Sequence, residues 1–146
     1  MRLVYISSPL RGDIEKNMEK AKDYCAYAAS CGVIPLAPHT IFTQYLNDAV
    51  PEQREQGLRM GHELLERCDE LWVMGDTISQ GMKDEIGLAT FLQLPILYVS
   101  DDMVKNVVHG TIQPDPHFSR YVLPVADGEP HLVFPIDGRC LPELST

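Results

Sequence analysis

The sequence has no long apolar run, and none of its hydrophobic stretches reaches the roughly 18 residues that a membrane-spanning helix needs. Its start, MRLVYISSPLRG, has too short an apolar part for a signal peptide and leads directly into a predicted strand. A chain of 146 residues suffices for one hydrophobic core. We therefore expect a cytoplasmic protein with a single core domain and no contact with a membrane.

Basic residues are scarce. Only 12 lysines and arginines stand against 21 acidic residues, which gives a formal net charge of −9. This balance argues against binding of a nucleic acid polymer, because a phosphate backbone requires a basic face. It does not exclude a small anionic ligand, since one or two arginines and a few backbone N–H groups suffice for a single phosphate.

Signals for metals, disulfides and common cofactors are also missing. The 4 cysteines form no Cys-x-x-Cys pair and have no histidine at ligand spacing, so we predict reduced thiols and no metal. Neither a Gly-x-Gly-x-x-Gly fingerprint nor a phosphate-binding P-loop occurs, so dinucleotide and nucleoside triphosphate sites gain no support. We expect no cofactor.

What the chain does contain is an alternation of short apolar runs with helical patterns. The predicted strands are residues 3–6, 33–36, 70–74 and 95–99. Helical periodicity occupies residues 14–28, 51–68 and 82–92. Because each strand is continuously apolar, we predict a parallel sheet covered on both faces. The fold class is α/β: a compact, doubly wound, three-layer domain of the flavodoxin-like or Rossmann-like kind.

The C-terminal part looks different, because the alternation ends after Ser100. Of the 11 prolines, 6 lie from Pro114 onward. We predict that residues 1–105 form the core and that residues 106–146 form an irregular arm. The arm would pack on the core or on a partner subunit, with residues 121–125 and 131–135 as the two strands of a hairpin.

Polar or glycine-containing segments leave the ends of three predicted strands: SSPLRG, APHTIF and GDTISQGMKDE. Ligands of doubly wound sheets bind outside the carboxyl ends of the strands. We therefore predict that the three segments meet at one binding site.

Glu85 lies one turn into the third predicted helix, on the side expected to face the sheet. Its side chain should lean back over the turn that holds Ser79 and Gly81, where N–H groups favour an anion. A carboxylate beside a bound sugar could attack the anomeric carbon. The competing interpretation is a helix N-terminus stabilised by an acid, which is worth about 0.3–1 kcal/mol.

Other candidate residues lie at the same strand ends. Arg11 could instead be a solvated turn residue, and His39 could instead hydrogen-bond backbone groups. Asp76 could hydrogen-bond a ribose hydroxyl or orient another group. The candidates for substrate binding are Ser7, Ser8, Arg11, His39, Asp76, Ser79, Gly81 and Met82.

With these residues assembled, the sequence resembles the nucleoside 2-deoxyribosyltransferase-like superfamily over residues 3–99. The motifs that carry the resemblance are VYISSPLRG, CDELWVMGD and SQGMKDEIGLA. The resemblance implies that Glu85 is the nucleophile at the anomeric carbon and that Tyr5 lies close to it. It also implies that Ser79 contributes to a 5′-phosphate site, as in the 2′-deoxynucleoside 5′-phosphate N-hydrolases.

Two weaker points of similarity follow. The S-x-x-R-G turn of those hydrolases is similar to the segment with Ser8 and Arg11. Relatives also borrow a polar side chain from a partner subunit soon after the fourth strand, where Lys105 and Asn106 stand here. The resemblance thus implies a homo-oligomer, a dimer or larger.

One position departs from the pattern. Relatives usually carry an aspartate eight residues before the acid that opens the third strand, and Gly61 stands there instead. Either another group, such as His62, Glu63 or Asp76, takes over its role at the base, or the activity is absent.

The resemblance implies cleavage or transfer of the N-glycosidic bond of a (deoxy)nucleoside or its 5′-monophosphate. The chain could act as a hydrolase or as a transferase. The alternative is a non-catalytic nucleotide-sensing module of the same fold. An electron-transfer protein of the flavodoxin kind is disfavoured, because the first turn lacks the hydroxyl-rich loop that binds the FMN phosphate.

Overall fold

The computed structural model describes residues 1–110, 120–123 and 131–133. Strands and helices alternate along the chain as predicted. The elements are β1 (Leu3–Ser7), α1 (Ile14–Ser30), β2 (Ile34–Leu36), α2 (Pro38–Phe42), α3 (Pro51–Glu66), β3 (Glu70–Met74), α4 (Gln80–Phe91), β4 (Ile96–Val99), α5 (Asp101–Val108), β5 (Arg120–Leu123) and β6 (His131–Val133).

The strands form one sheet in the order β2-β1-β3-β4-β5-β6. The first four strands in the chain are mutually parallel where they pair, which confirms the predicted α/β class. Strands β5 and β6 continue the sheet beyond β4 as antiparallel neighbours. They overlap the two predicted hairpin strands, and the segment that joins them lies outside the described residues.

One expectation about connections was wrong. The alternation does not end at Ser100, because that residue caps α5: its hydroxyl accepts a hydrogen bond from the Met103 N–H at 3.2 Å. The segment after β2 also contains a short helix, α2, which Pro38 starts. The division at residue 105 stays a prediction, and α5 runs across that position.

The sheet is covered on both faces, because successive strand residues point to opposite sides. On β1, Val4 and Ile6 pack with α1, whereas Tyr5 packs with Leu65 of α3 and Met82 of α4. Helices α1 and α5 therefore form one outer layer, and α3 and α4 form the other. None of the helices in the described ranges is long and apolar enough to cross a membrane.

The order of the strands positions the site. From β1 the chain moves outward to β2, and it then returns to β3 on the other side of β1. Such a reversal leaves a crevice outside the carboxyl ends of the two central strands. Here that crevice lies between the segment after β1 and the start of α4.

Candidate functional site

A cavity of about 360 Å³ occupies this crevice on the α3 and α4 side of the sheet. Its walls come from the segment after β1, from α2 and the loop that follows it, from α3 and from the start of α4. The predicted site residues that line it are Tyr5, Ser8, Arg11, His39, Ser79, Gly81, Met82 and Glu85. The prediction that three strand-end segments contribute to one site is consistent with this lining.

Glu85 is held by two hydroxyl groups of β1. The Ser7 hydroxyl donates to its Oε1 atom at 2.8 Å, and the Tyr5 hydroxyl also hydrogen-bonds the carboxylate. Residues 5 and 7 share one side of the strand, so a period of two brings both hydroxyls to the same acid. Ser7 itself does not line the cavity, and its link to the site is the hydrogen bond to Glu85.

Opposing effects act on the pKa of the Glu85 carboxyl. Burial raises its pKa, and so does the neighbouring Asp84, while the hydrogen bonds from Tyr5 and Ser7 lower it; the net direction is upward. The pKa of Tyr5 is also raised, first by burial and then by Glu85. The tyrosine therefore stays protonated, and its hydroxyl donates a hydrogen bond to the carboxylate.

A second polar pair lines the cavity. The Ser8 hydroxyl oxygen lies 3.0 Å from Nε2 of His39. Burial lowers the pKa of His39 to about 4, so its imidazole is neutral at neutral pH. A neutral imidazole offers a ligand one donor or one acceptor, depending on its tautomer.

The rim of the cavity carries a cluster of charges. The Arg11 Nε atom lies 2.9 Å from Oδ2 of Asp48, and Nε of Arg54 lies 4.0 Å from its Oδ1. Arg11 is thus an ion-paired residue of the cavity wall. Asp48 and Arg54 were not predicted as site residues, because neither belongs to a recognisable motif.

The start of α4 is fixed by Ser79. Its hydroxyl oxygen accepts from the Met82 N–H at 3.3 Å, which makes it the N-cap of the helix. Met82 is buried and forms part of the cavity wall, whereas Gly81 is exposed at its mouth. The cap brings Glu85 into the second turn, where it can reach the hydroxyls of β1.

Gly61 allows α3 to approach Tyr5. A Cβ atom at this position would lie 3.2 Å from the tyrosine hydroxyl oxygen, so any larger side chain requires the tyrosine to shift. Of the groups considered as substitutes for an acid at Gly61, Glu63 is exposed and pairs with Arg67 at 3.1 Å. His62 lines the cavity.

Asp76 does not line the cavity. Its backbone N–H donates to Oδ2 of Asp101 at 3.1 Å, and its own Oδ1 accepts from the Asp101 N–H at 3.3 Å. These contacts place it at the start of α5, so the structure does not support a contact with a ribose hydroxyl. Lys105 and Asn106 are exposed on α5 and lie outside the cavity wall. Whether they act in a partner subunit stays a prediction.

Several cavity residues were not predicted. They come mainly from the loop after α2 and from α3, where a run of mixed polar and aromatic residues has no motif. Phe42 and Leu46 are spaced by four, a spacing typical of one side of a helix, and this was an available signal although α2 ends at Phe42. The lining residues that were not named as individual candidates are Leu10, Pro38, Phe42, Thr43, Leu46, Asp48, Gln53, Arg54, Gly57, Leu58, Gln80 and Asp84.

Comparisons with known proteins agree with this architecture. A protein-family model described as "Domain of unknown function (DUF7768)" matches residues 2–99. A search of curated proteins gives no match. Among solved structures, the chain is similar to a 2-deoxyribosyltransferase from the psychrotolerant bacterium Bacillus psychrosaccharolyticus. The identity is 20%, the TM-score is 0.53, and the match covers 67% of this chain and 72% of that one. At this identity the likeness shows a shared fold, which confirms the resemblance at that level and not for any one branch.

Proposed function

The chain belongs to the DUF7768 family, and we propose that it cleaves or transfers the N-glycosidic bond of a nucleoside or a nucleoside 5′-monophosphate. The observation that carries this proposal is the carboxylate of Glu85, which lines a cavity of about 360 Å³ while bonded to Ser7 and Tyr5. Such a volume suits a small ligand. The similar fold of a 2-deoxyribosyltransferase adds support.

In the proposed reaction, one Glu85 oxygen attacks the anomeric carbon, C1′, as the bond to the base breaks. The product is a glycosyl-enzyme ester, which water resolves in a hydrolase and a second base resolves in a transferase. Because the nucleophile must be ionised, the hydrogen bonds from Tyr5 and Ser7 serve to hold Glu85 as a carboxylate against the effect of burial.

The remaining cavity groups suit the rest of such a substrate. Ser8 and His39 offer hydrogen bonds to sugar or base. Arg11 and Arg54 bring positive charge to the rim of an acidic protein, which would favour an anionic group such as a 5′-phosphate. Apolar side chains including Phe42 and Met82 would contact the faces of a base. We also expect a homodimer or larger oligomer, in which Lys105 or Asn106 of a partner could complete the site.

The test is incubation with a panel of ribo- and deoxyribonucleosides and their 5′-monophosphates, with free base measured by chromatography. We expect the wild-type chain to release base from at least one compound and Glu85→Gln to release none. Glu63→Gln, an exposed acid of α3, is the matched control and should keep the activity. Equal base release by wild type and Glu85→Gln would disprove the role of Glu85.

One observation favours the alternative of a nucleotide-sensing module. Relatives usually carry an aspartate where this chain has Gly61 on α3. A side chain at this position would fit only if Tyr5 shifted. Calorimetry with the same panel separates the two functions. Nucleotide binding without base release from any compound would establish the sensor and exclude the enzyme.

A further inference from the structure

Cleavage of an N-glycosidic bond needs a second group besides the nucleophile. A purine or pyrimidine that leaves with the bonding electron pair is a poor leaving group unless it receives a proton. If the proposed function holds, the cavity must therefore contain a proton donor on the side where the base departs. Glu85 cannot serve, because it is consumed as the nucleophile in the same step.

The carboxyl groups of the cavity are poor donors. Among the described residues, those that line it besides Glu85 are Asp48 and Asp84. Asp48 faces two guanidinium groups, with Arg11 Nε 2.9 Å from its Oδ2 and Arg54 Nε 4.0 Å from its Oδ1, so both of its oxygens are directed at cations of the rim. Asp84 is exposed at the mouth, where Gln80 Nε2 donates to it at 3.1 Å.

Among the described residues, two histidines line the cavity, His39 and His62. Nε2 of His39 is engaged by the Ser8 hydroxyl at 3.0 Å, and burial lowers its pKa to about 4, so His39 is not an imidazolium at neutral pH. His62 lines the cavity from α3, directly after Gly61. Gly61 is the point at which α3 comes closest to the Tyr5 hydroxyl, which in turn bonds Glu85.

We propose that His62 is the proton donor for the departing base. An imidazolium is suited to general acid catalysis near neutral pH. The titratable and charged side chains that share the cavity with it are Tyr5, Arg11, His39, Asp48, Arg54, Asp84 and Glu85.

A Glu85 oxygen forms a bond to C1′, the bond from C1′ to the base nitrogen breaks, and its electron pair stays on the base. The His62 imidazolium gives its proton to that base and becomes neutral. In a hydrolase, neutral His62 then takes a proton from the attacking water, hydroxide joins C1′, and the ester bond to Glu85 breaks to restore the carboxylate.

The test compares two kinds of leaving base on matched sugars. Adenosine monophosphate and its 2′-deoxy analogue carry a purine, whose departure is assisted by a proton. Nicotinamide mononucleotide and its 2′-deoxy analogue carry a pyridinium, which leaves as a neutral molecule without one. We expect His62→Gln to slow release of adenine about 10²-fold or more, and to change release of nicotinamide less than about threefold.

His39→Gln is the matched control, since it removes the other cavity imidazole. We expect it to slow release of both bases by the same factor. Thermal unfolding checks that each variant is folded. If His62→Gln is unstable, His62→Ala with added imidazole replaces it, and imidazole should then restore release of adenine more than release of nicotinamide.

The outcomes separate this inference from the proposed function. Loss of both activities in Glu85→Gln, together with equal losses or no losses in His62→Gln, overturns the role of His62 and leaves the nucleophile in place. Base release that persists in Glu85→Gln, or no base release by the wild-type chain, overturns the proposed function and this inference with it.

Discussion

Two tyrosine–carboxylate pairs lie on opposite faces of the same sheet, in different surroundings. On the α1 and α5 face, the Tyr24 hydroxyl donates to Oδ1 of Asp101 at 2.6 Å. On the α3 and α4 face, the Tyr5 hydroxyl bonds Glu85. Burial and the neighbouring carboxylate raise the pKa of both tyrosines. Each hydroxyl also lies against a glycine, Gly75 for Tyr24 and Gly61 for Tyr5.

The pairs differ in what else surrounds the carboxylate. Both carboxylate oxygens of Asp101, the first residue of α5, accept hydrogen bonds from the protein. Oδ1 accepts from the Tyr24 hydroxyl, and Oδ2 accepts from the Asp76 N–H at 3.1 Å. Glu85 instead borders an open cavity, and burial raises its pKa. The residue types alone therefore do not distinguish a structural acid from a candidate catalytic one; the adjoining cavity does.

The largest expected effect follows from neutralising each acid. Glu85→Gln should lower base release by about 10⁴-fold or more, as expected for loss of a nucleophile, without lowering the free energy of unfolding. Asp101→Asn should keep base release within a few-fold and lower the free energy of unfolding by about 1–3 kcal/mol. Base-release assays and urea denaturation of both variants measure the contrast. A stability loss in Glu85→Gln as large as that in Asp101→Asn would show that both acids are structural.

The next effect concerns stability against pH on the cavity face. The pKa of His39 is about 4 in the folded state, below its ordinary value of 6.5, because burial disfavours the imidazolium. The unfolded state binds the proton first, so stability that is present above pH 6.5 is lost as pH falls toward about 4. The loss should be on the order of 2–3 kcal/mol.

Urea denaturation between pH 7 and pH 4 tests this expectation. In His39→Gln the stability should fall less steeply over that range, because glutamine does not titrate. His109, which pairs with Asp23 on the opposite face at 3.0 Å, provides the matched variant His109→Gln. Identical slopes for wild type and His39→Gln would mean that His39 is not held neutral by folding.

Removing the tyrosine hydroxyls should separate the two pairs again. Tyr24→Phe takes a donor from the partly buried carboxylate of Asp101 and should cost about 1–2 kcal/mol of stability, with base release unchanged. Tyr5→Phe takes a donor from Glu85 and should raise the pKa of that acid further. The acidic limb of its rate–pH profile should then move to higher pH. A rate–pH profile like that of the wild type would mean that the Tyr5 hydroxyl does not influence the pKa of Glu85.

Much of the fold was accessible from the sequence, because strand and helix periods are local properties. Asp13 caps α1, just before the predicted helix at residues 14–28, and its carboxylate accepts from the Lys16 N–H at 3.1 Å. Helical periodicity does not show which residues of α1 are buried: Tyr24 and Tyr27 are buried, whereas Ile14 is 50% exposed. Only the tertiary structure decides which residues of a helix meet the sheet.

The site was predictable to the extent that strand ends and helix starts are visible. Tyr5 and Glu85 belong to such motifs, and the structure brings them together. Asp48 and Arg54 were missed, because their contact depends on how the long connection after β2 folds back over α3. Asp76 follows β3 as required, yet it turns toward α5, and nothing in the local sequence sets that direction.

The smallest expected effect concerns the charged rim of the cavity. Asp48 neutralises part of the charge of Arg11 and Arg54, with distances of 2.9 and 4.0 Å. Asp48→Asn should therefore tighten binding of a nucleoside 5′-monophosphate about two- to fivefold relative to the nucleoside, since exposed ion pairs are worth up to about 1 kcal/mol. Calorimetry at low and high salt measures that ratio.

The opposite face again supplies the control. Asp23→Asn removes one exposed acid that pairs with His109, and thus changes the net charge equally without touching the cavity. Its ratio of monophosphate to nucleoside affinity should equal that of the wild type. If both variants shift the ratio equally, the cause is overall charge, which acts over long range and is screened by salt. A shift confined to Asp48→Asn means that the anion competes directly with this carboxylate for the two guanidinium groups.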